Sequence, residues 1–168
     1  YNRPADCSLP RGASRRREDP PMRRAPVPAG NGRMAKKEFR LLVVDDNEIN
    51  RLLVTKHLAA DPYEILTVSS GFEALQALSP FKPDLVLLDP LMPAMDGYEV
   101  CRLMKSDPAY SGIPVIFLTA LASRDDAMNA FRMGGVDYIV KPYEPIELRY
   151  RVRNHLQFIK AMRENFTL

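Results

Sequence analysis

Asp84-Leu85-Val86-Leu87-Leu88-Asp89-Pro90-Leu91-Met92-Pro93 is the stretch from which the fold can be read. Leu85 to Leu88 is wholly apolar with no polar alternation, which predicts a strand buried on both faces, as in a parallel sheet. The run ends in a carboxylate, and a proline-rich turn follows at once. Open α/β sheets bind ligands beyond the carboxyl ends of their strands, so Asp89 stands where chemistry is expected. A lone Asp at such a point more often starts a turn or caps a helix. The choice between the two depends on what other strands bring to the same edge.

Four further stretches read as strands. Phe39–Val44 runs into Asp45-Asp46, Tyr63–Val68 is a second short strand, Ile113–Leu118 runs into Thr119-Ala120, and Val136–Val140 runs into Lys141-Pro142. Helical patterns lie between them. Asn47 is a good N-cap for a helix carrying Ile49, Leu52, Leu53, Lys56 and Leu58, ended by Asp61-Pro62. Ser70-Gly71 open a second helix through Ala74, Leu75 and Leu78, which Pro80 is expected to stop. Asp96-Gly97 start a third with Val100, Leu103 and Met104. Ser123 caps a fourth with Ala127, Ala130, Phe131 and Met133, ended by Gly134-Gly135, and a last helix begins near Pro145. Five strands alternating with five helices imply βαβ units. The expected fold is α/β: a doubly wound five-stranded parallel sheet of flavodoxin-like order 2-1-3-4-5, with helices on both faces.

Charge divides the chain into three parts. The net +3 of the 168 residues averages +5 over residues 1–33, −5 over 34–145 and +3 over 146–168. The first part holds eight Arg, six Pro and three Gly with few large apolar side chains. It cannot bury enough surface to offset its ordering entropy, so residues 1–36 are read as a disordered basic extension. Its arginines are not interleaved with aromatics as in a nucleic-acid reader. Met34 directly precedes the foldable stretch and is a candidate natural start. Residues 37–157 form the expected domain, and 158–168 extend its last helix. The acidic middle suits a cation and argues against a general nucleic-acid surface. No apolar run is long enough to span a bilayer, and the Arg15–Arg17 run is followed by proline and charge rather than an apolar leader. Cys7 and Cys101 lack metal-ligand spacing, so reduced thiols in a cytoplasmic setting are expected.

In the order 2-1-3-4-5, strands one and three are neighbours, so Asp45, Asp46 and Asp89 share one crevice, flanked by Thr119 and Lys141. Clustered carboxylates repel unless a cation neutralises them. All-oxygen ligands suit Mg²⁺, or Mn²⁺, which keep waters and meet phosphate oxygens. A lysine and a threonine opposite the ion can hold the remaining oxygens of a phosphoryl group. One carboxylate can then act as the nucleophile that accepts it.

From about Phe39 to His155 the chain resembles a receiver domain of the two-component response regulators. The resemblance rests on Val43-Val44-Asp45-Asp46-Asn47, Leu87-Leu88-Asp89 with Met92-Pro93 and Met95-Asp96-Gly97, Leu118-Thr119-Ala120, and Tyr138-Ile139-Val140-Lys141-Pro142. It implies that Asp89 is phosphorylated from the phosphohistidine of a sensor histidine kinase or phosphotransfer protein. It implies direct Mg²⁺ ligation by Asp46, Asp89 and the Leu91 carbonyl, with Asp45 acting largely through water. Thr119 and Lys141 would hold the phosphoryl group, Tyr138 would be the switch aromatic, and the Lys141-Pro142 bond would be cis. The output implied is a population shift on the helix 4–strand 5–helix 5 face rather than enzymatic turnover.

Pro90 departs from the family's pattern, because it brings no N–H and restricts Asp89 to extended conformations. If that amide served the site, phosphorylation rates would change, or the chain would be an unphosphorylated pseudo-receiver. An aspartyl-phosphate phosphatase would want an acid two residues after the nucleophile, where this chain has Leu91. Leu148, Val152, His155, Ile159, Met162 and Phe166 form a heptad-like stripe. It predicts either a helix that frays in its second half, or one that pairs with its twin or continues into an output domain.

Overall fold

A computed structural model describes residues 36–167 of the chain; the basic extension read at residues 1–36 falls outside it except for Lys36. The strands are β1 (Phe39–Val44), β2 (Tyr63–Val68), β3 (Leu85–Leu88), β4 (Val115–Thr119) and β5 (Asp137–Val140). The helices are α1 (Glu48–His57), α2 (Gly71–Phe81), α3 (Gly97–Ser106), α4 (Arg124–Arg132) and α5 (Pro145–Asn165). All pairings are parallel and the sheet order is β2-β1-β3-β4-β5.

Successive strand side chains face opposite sides of a sheet, and the core divides accordingly. Leu41, Val43, Leu85, Leu87, Ile116, Leu118 and Ile139 pack with Val54 and Leu58 of the α1 region and Leu148, Val152 and Leu156 of α5. Leu42, Val44, Val86, Leu88, Val115 and Phe117 pack with Ala74 and Leu78 of α2, Val100, Cys101 and Met104 of α3, and Ala130 of α4. Both sides of β3 are covered, which is why its sequence shows no polar alternation. Cys101 is part of this core. Its thiol, pushed up to about 11 by burial, donates to the Met133 carbonyl.

Local chemistry sets the helix ends. Asn47, Ser70, Asp96 and Ser123 each accept a backbone N–H from the first turn of their helix, and Ser123 forms a reciprocal capping box with Asp126.

Three expectations are corrected. Pro80 does not stop α2, which continues to Phe81 before Lys82 closes it in the left-handed region. So near the helix end, proline forfeits a single backbone bond and the turn survives. In α1, Ile49, Leu52 and Leu53 are exposed at 66%, 62% and 43%, while Val54 and Leu58 are buried. Apolar residues occur all round this helix, so periodicity could not choose the face that meets the sheet. Finally, β4 and β5 begin two and one residues later than expected.

The stripe on α5 splits in two. Leu148 and Val152 are core, and His155 bonds Asp137. Ile159 is half-buried, while Met162 and Phe166 are exposed. α5 nonetheless continues unbroken for 21 residues, about 31 Å.

The turn after β3 depends on one glycine. A Cβ on Gly97 would lie 2.2 Å from the Asp89 carbonyl oxygen and 2.8 Å from the Pro90 Cα. Gly97 also donates its N–H to the Pro90 carbonyl at 3.0 Å, so α3 starts pressed against the end of β3. Because the obstacle is backbone and cannot rotate away, Gly97→Ala should cost about 3 kcal/mol in urea denaturation; a change under about 0.5 kcal/mol would contradict this packing.

Candidate functional site

Strand parity decides which strand-end groups meet. Asp45, Asp89 and Lys141 continue the alternation of Val43, Leu87 and Ile139, so their side chains rise on the α1/α5 side. Thr119 continues that of Val115 and Phe117, and Tyr138 packs on the same side, toward α4. The structure bears this division out. Lys141 Nζ donates to Asp45 Oδ2 at 2.7 Å and to Asp89 Oδ2 at 3.0 Å. Thr119 Oγ1 instead accepts the Leu121 N–H at 2.9 Å. The Tyr138 ring packs edge-on against Phe131 of α4, with centroids 5.9 Å apart.

Asp45 is 3% exposed and fully engaged. Its Oδ1 accepts the Asn47 N–H at 2.9 Å and Asn50 Nδ2 at 3.3 Å. Its carbonyl accepts the Arg51 guanidinium at 2.7 Å. Asp46, one residue on, faces solvent. Asp89 Oδ1 accepts the Leu91 N–H at 2.8 Å. That amide is the local donor to the Asp89 carboxylate, so Pro90 subtracts none of the bonds Asp89 makes. Proline matters on the other side: Val86 N–H donates toward β4, and alternation aims the nitrogen of residue 90 the same way, where no hydrogen can extend the ladder.

Burial pushes the Asp89 carboxyl above its ordinary value. The Leu91 amide and the Lys141 ammonium pull it back in part, and the charge of Asp45 raises it further. Burial also opposes the charge on Lys141, yet its bonds to Asp45 and Asp89 outweigh that cost and hold it above the usual lysine value. The Tyr143 hydroxyl is pushed up to about 12 by burial and by Asp45, and its ring stands edge-on to His57 at 6.1 Å. The Lys141-Pro142 peptide is cis.

Sequence reasoning missed Asn50, Arg51 and Tyr143. The first two lie one helical turn beyond Asn47, a spacing at which α1 side chains could have been expected to reach back to Asp45.

One carboxylate oxygen from each of Asp45, Asp46 and Asp89 lies within 4.8 Å of the others. Oxygens around an octahedral ion at about 2.1 Å stand roughly 3 to 4 Å apart. The donor set is all oxygen and one member is open to solvent, so these residues fit a hard divalent cation that keeps some of its waters.

A family model described as the response regulator receiver domain matches residues 41–153. The chain belongs to that family. Among relatives of this receiver domain, Response regulator PleD of Caulobacter vibrioides (strain NA1000 / CB15N) is 42% identical over 119 residues, covering 71% of this chain and 26% of that protein. DNA-binding response regulator MtrA of Mycobacterium tuberculosis (strain ATCC 25618 / H37Rv) is 39% identical over 118 residues, 70% of this chain and 50% of that protein. The chain thus spans about a quarter to a half of these relatives. Among solved structures, a putative response regulator from Chloroflexus aurantiacus superposes with a TM-score of 0.68 at 36% identity, covering 71% of this chain and 98% of that one. The receiver fold and its place in two-component signalling follow.

Two measurements check the electrostatics. The folded state holds the Asp89 proton above the unfolded value of 3.8, so the stability this group contributes falls as pH rises through that window. Asp89→Asn cannot ionise; its melting temperature should exceed that of the native chain by a margin that widens as pH rises above about 4, and a margin independent of pH would refute the assignment. Mg²⁺ at a hundredfold excess over its Kd should stabilise the native domain by about 2.7 kcal/mol, with Asp89→Asn responding less.

Proposed function

We propose that this receiver domain is a phosphorylation-controlled signalling module in which Asp89 accepts a phosphoryl group from the phosphohistidine of a sensor histidine kinase or phosphotransfer protein. The observation that carries the reading is the Lys141 ammonium bonded to both Asp45 and Asp89 beside a three-carboxylate cluster. A carboxylate oxygen of Asp89 forms the new O–P bond as the N–P bond of the phosphohistidine breaks, and the imidazole keeps the electron pair. Asp46, Asp89 and the Leu91 carbonyl would hold Mg²⁺, with Asp45 acting through water; Mn²⁺ is chemically equivalent there. The bound ion supplies charge neutralisation at the phosphoryl oxygens.

Lys141 orients the acceptor and screens the charge that arrives on it. Thr119 starts away from Asp89, bonded to Leu121, and its turn toward a phosphoryl oxygen is the switching step. Tyr138, packed on Phe131, is placed to sense that turn through α4. The output is a population shift on the α4–β5–α5 face, in a cytoplasmic protein that is not a turnover enzyme. Position 91 is Leu, which offers no acid–base partner for a phosphatase.

Ile49, Leu52 and Leu53 form an exposed apolar surface on the helix that begins two residues after Asp46. It suits the helix of a phosphodonor partner, whose histidine must approach Asp89 from that side. Pairing with a second copy through the last helix would use Ile146, Tyr150, Phe158, Met162 and Phe166, because Leu148 and Val152 already lie in the domain's own core. An output domain or effector protein receives the signal, with no direct nucleic-acid contact by these residues.

Incubation with acetyl phosphate and Mg²⁺ should add one phosphoryl group at Asp89 by mass spectrometry, and none should be added when EDTA is present from the start or in Asp89→Asn. Absence of Mg²⁺-dependent modification would make the domain a pseudo-receiver. Leu91, two residues after Asp89 and 51% exposed, and half-buried Leu121, two residues after Thr119, are apolar neighbours of the site that should hinder an attacking water. The acyl phosphate should therefore last minutes or longer, and Leu91→Asn should shorten it about tenfold, a barrier change of about 1.4 kcal/mol. A native half-life of seconds would oppose this.

A further inference from the structure

The edge of the sheet opposite Asp89 carries an arrangement that the phosphoryl chemistry does not use. Acidic residues stand at or just before the starts of four strands: Glu38 before β1, Asp61 before β2, Asp84 before β3 and Asp137 in β5. Each is paired with α5. Arg149 and Arg153 hold Asp61 at 2.9 and 3.2 Å. Arg151 and His155 hold Asp137 at 2.7 and 3.1 Å. Lys160 holds Glu38 at 2.7 Å, and Arg163 holds Asp84 at 2.6 Å. The opposite charges of the middle and final parts of the chain are thus brought face to face.

These pairs differ in what else supports them. Up to Leu156, which is 1% exposed, α5 is anchored by core side chains. Beyond it every residue through Thr167 is exposed except the half-buried Ile159. Two helical turns without packing are marginal in water. Exposed ion pairs are individually weak, so this end of α5 is held near balance.

We infer that the last two turns of α5 are an electrostatically latched arm, closed onto the starting edge of the sheet by Lys160–Glu38 and Arg163–Asp84. Asp84 also accepts the Arg40 N–H at 2.7 Å, which fixes its carboxylate on the sheet and makes it the rigid half of the catch. With the latch closed, Phe158, Ile159 and Met162 wall a groove of about 550 Å³ against Gly112, Pro114 and Val136. Opening removes one wall of that groove and changes the line along which α5 leaves the domain.

Hydrogen exchange on the full chain tests the latch. At low salt the amides of residues 160–166 should be protected. Exchange there should rise about fivefold in 1 M NaCl, where screening acts over about 3 Å, and in Lys160→Glu/Arg163→Glu at low salt. Amides of Val152 to Leu156 should not change in either case. Glu38→Lys combined with Lys160→Glu restores one pair with reversed sign, and should recover protection relative to Lys160→Glu alone. Unchanged tail exchange in the double variant, or no recovery in the charge swap, would overturn the latch and leave Ile159 packing and helix propensity as the holding forces.

Discussion

One ammonium group holds the chemistry of this domain together. Two nearly buried carboxylates, Asp45 and Asp89, and a third exposed one crowd the end of β1 and β3, and such a cluster repels itself. Lys141, delivered from β5, neutralises part of that charge through bonds to both buried members. The desolvation cost is still visible in the raised carboxyl of Asp89. A site with charge left over has affinity for a cation and for a group that redistributes charge. The affinity for a cation and the modest local instability therefore have the same origin.

The sheet makes this arrangement possible through parity as much as through proximity. Alternation sends Asp45, Asp89 and Lys141 to the α1/α5 side and Thr119 and Tyr138 to the α4 side. The carboxylate–lysine cluster and the Thr119–Tyr138 pair thus lie on opposite faces of the same edge. In the proposed function, the Thr119 hydroxyl, now bonded to the Leu121 N–H, would have to cross from one side to the other, which would link Asp89 to the packing of α4. Gly97 completes the geometry by letting α3 start against the carbonyl of Asp89, which leaves the turn carrying Leu91 little room to move.

Charge organises the far edge as well, in a different regime. At Asp89 few groups interact in a largely buried setting, and each contact is strong. Along α5 many pairs interact near solvent, each weak alone, and their common direction matters more than any single bond. The basic end of the chain and its acidic middle are two halves of one surface.

The amino-acid sequence alone determined the layered α/β fold, the strand order and the identity of the strand-end residues. Apolar runs, caps and turn residues act locally, and in a βαβ chain local order fixes topology. It also placed Asp45, Asp46, Asp89, Thr119 and Lys141 at one edge. Which of these touch was settled in three dimensions, because contact depends on strand parity and on side-chain reach across neighbouring strands. The folded chain likewise decided that Leu91, not residue 90, supplies the amide to Asp89, and that α1 turns Ile49, Leu52 and Leu53 outward. The reason is common to all three: periodicity states that a residue has a side, while packing against distant parts of the chain states which side it is.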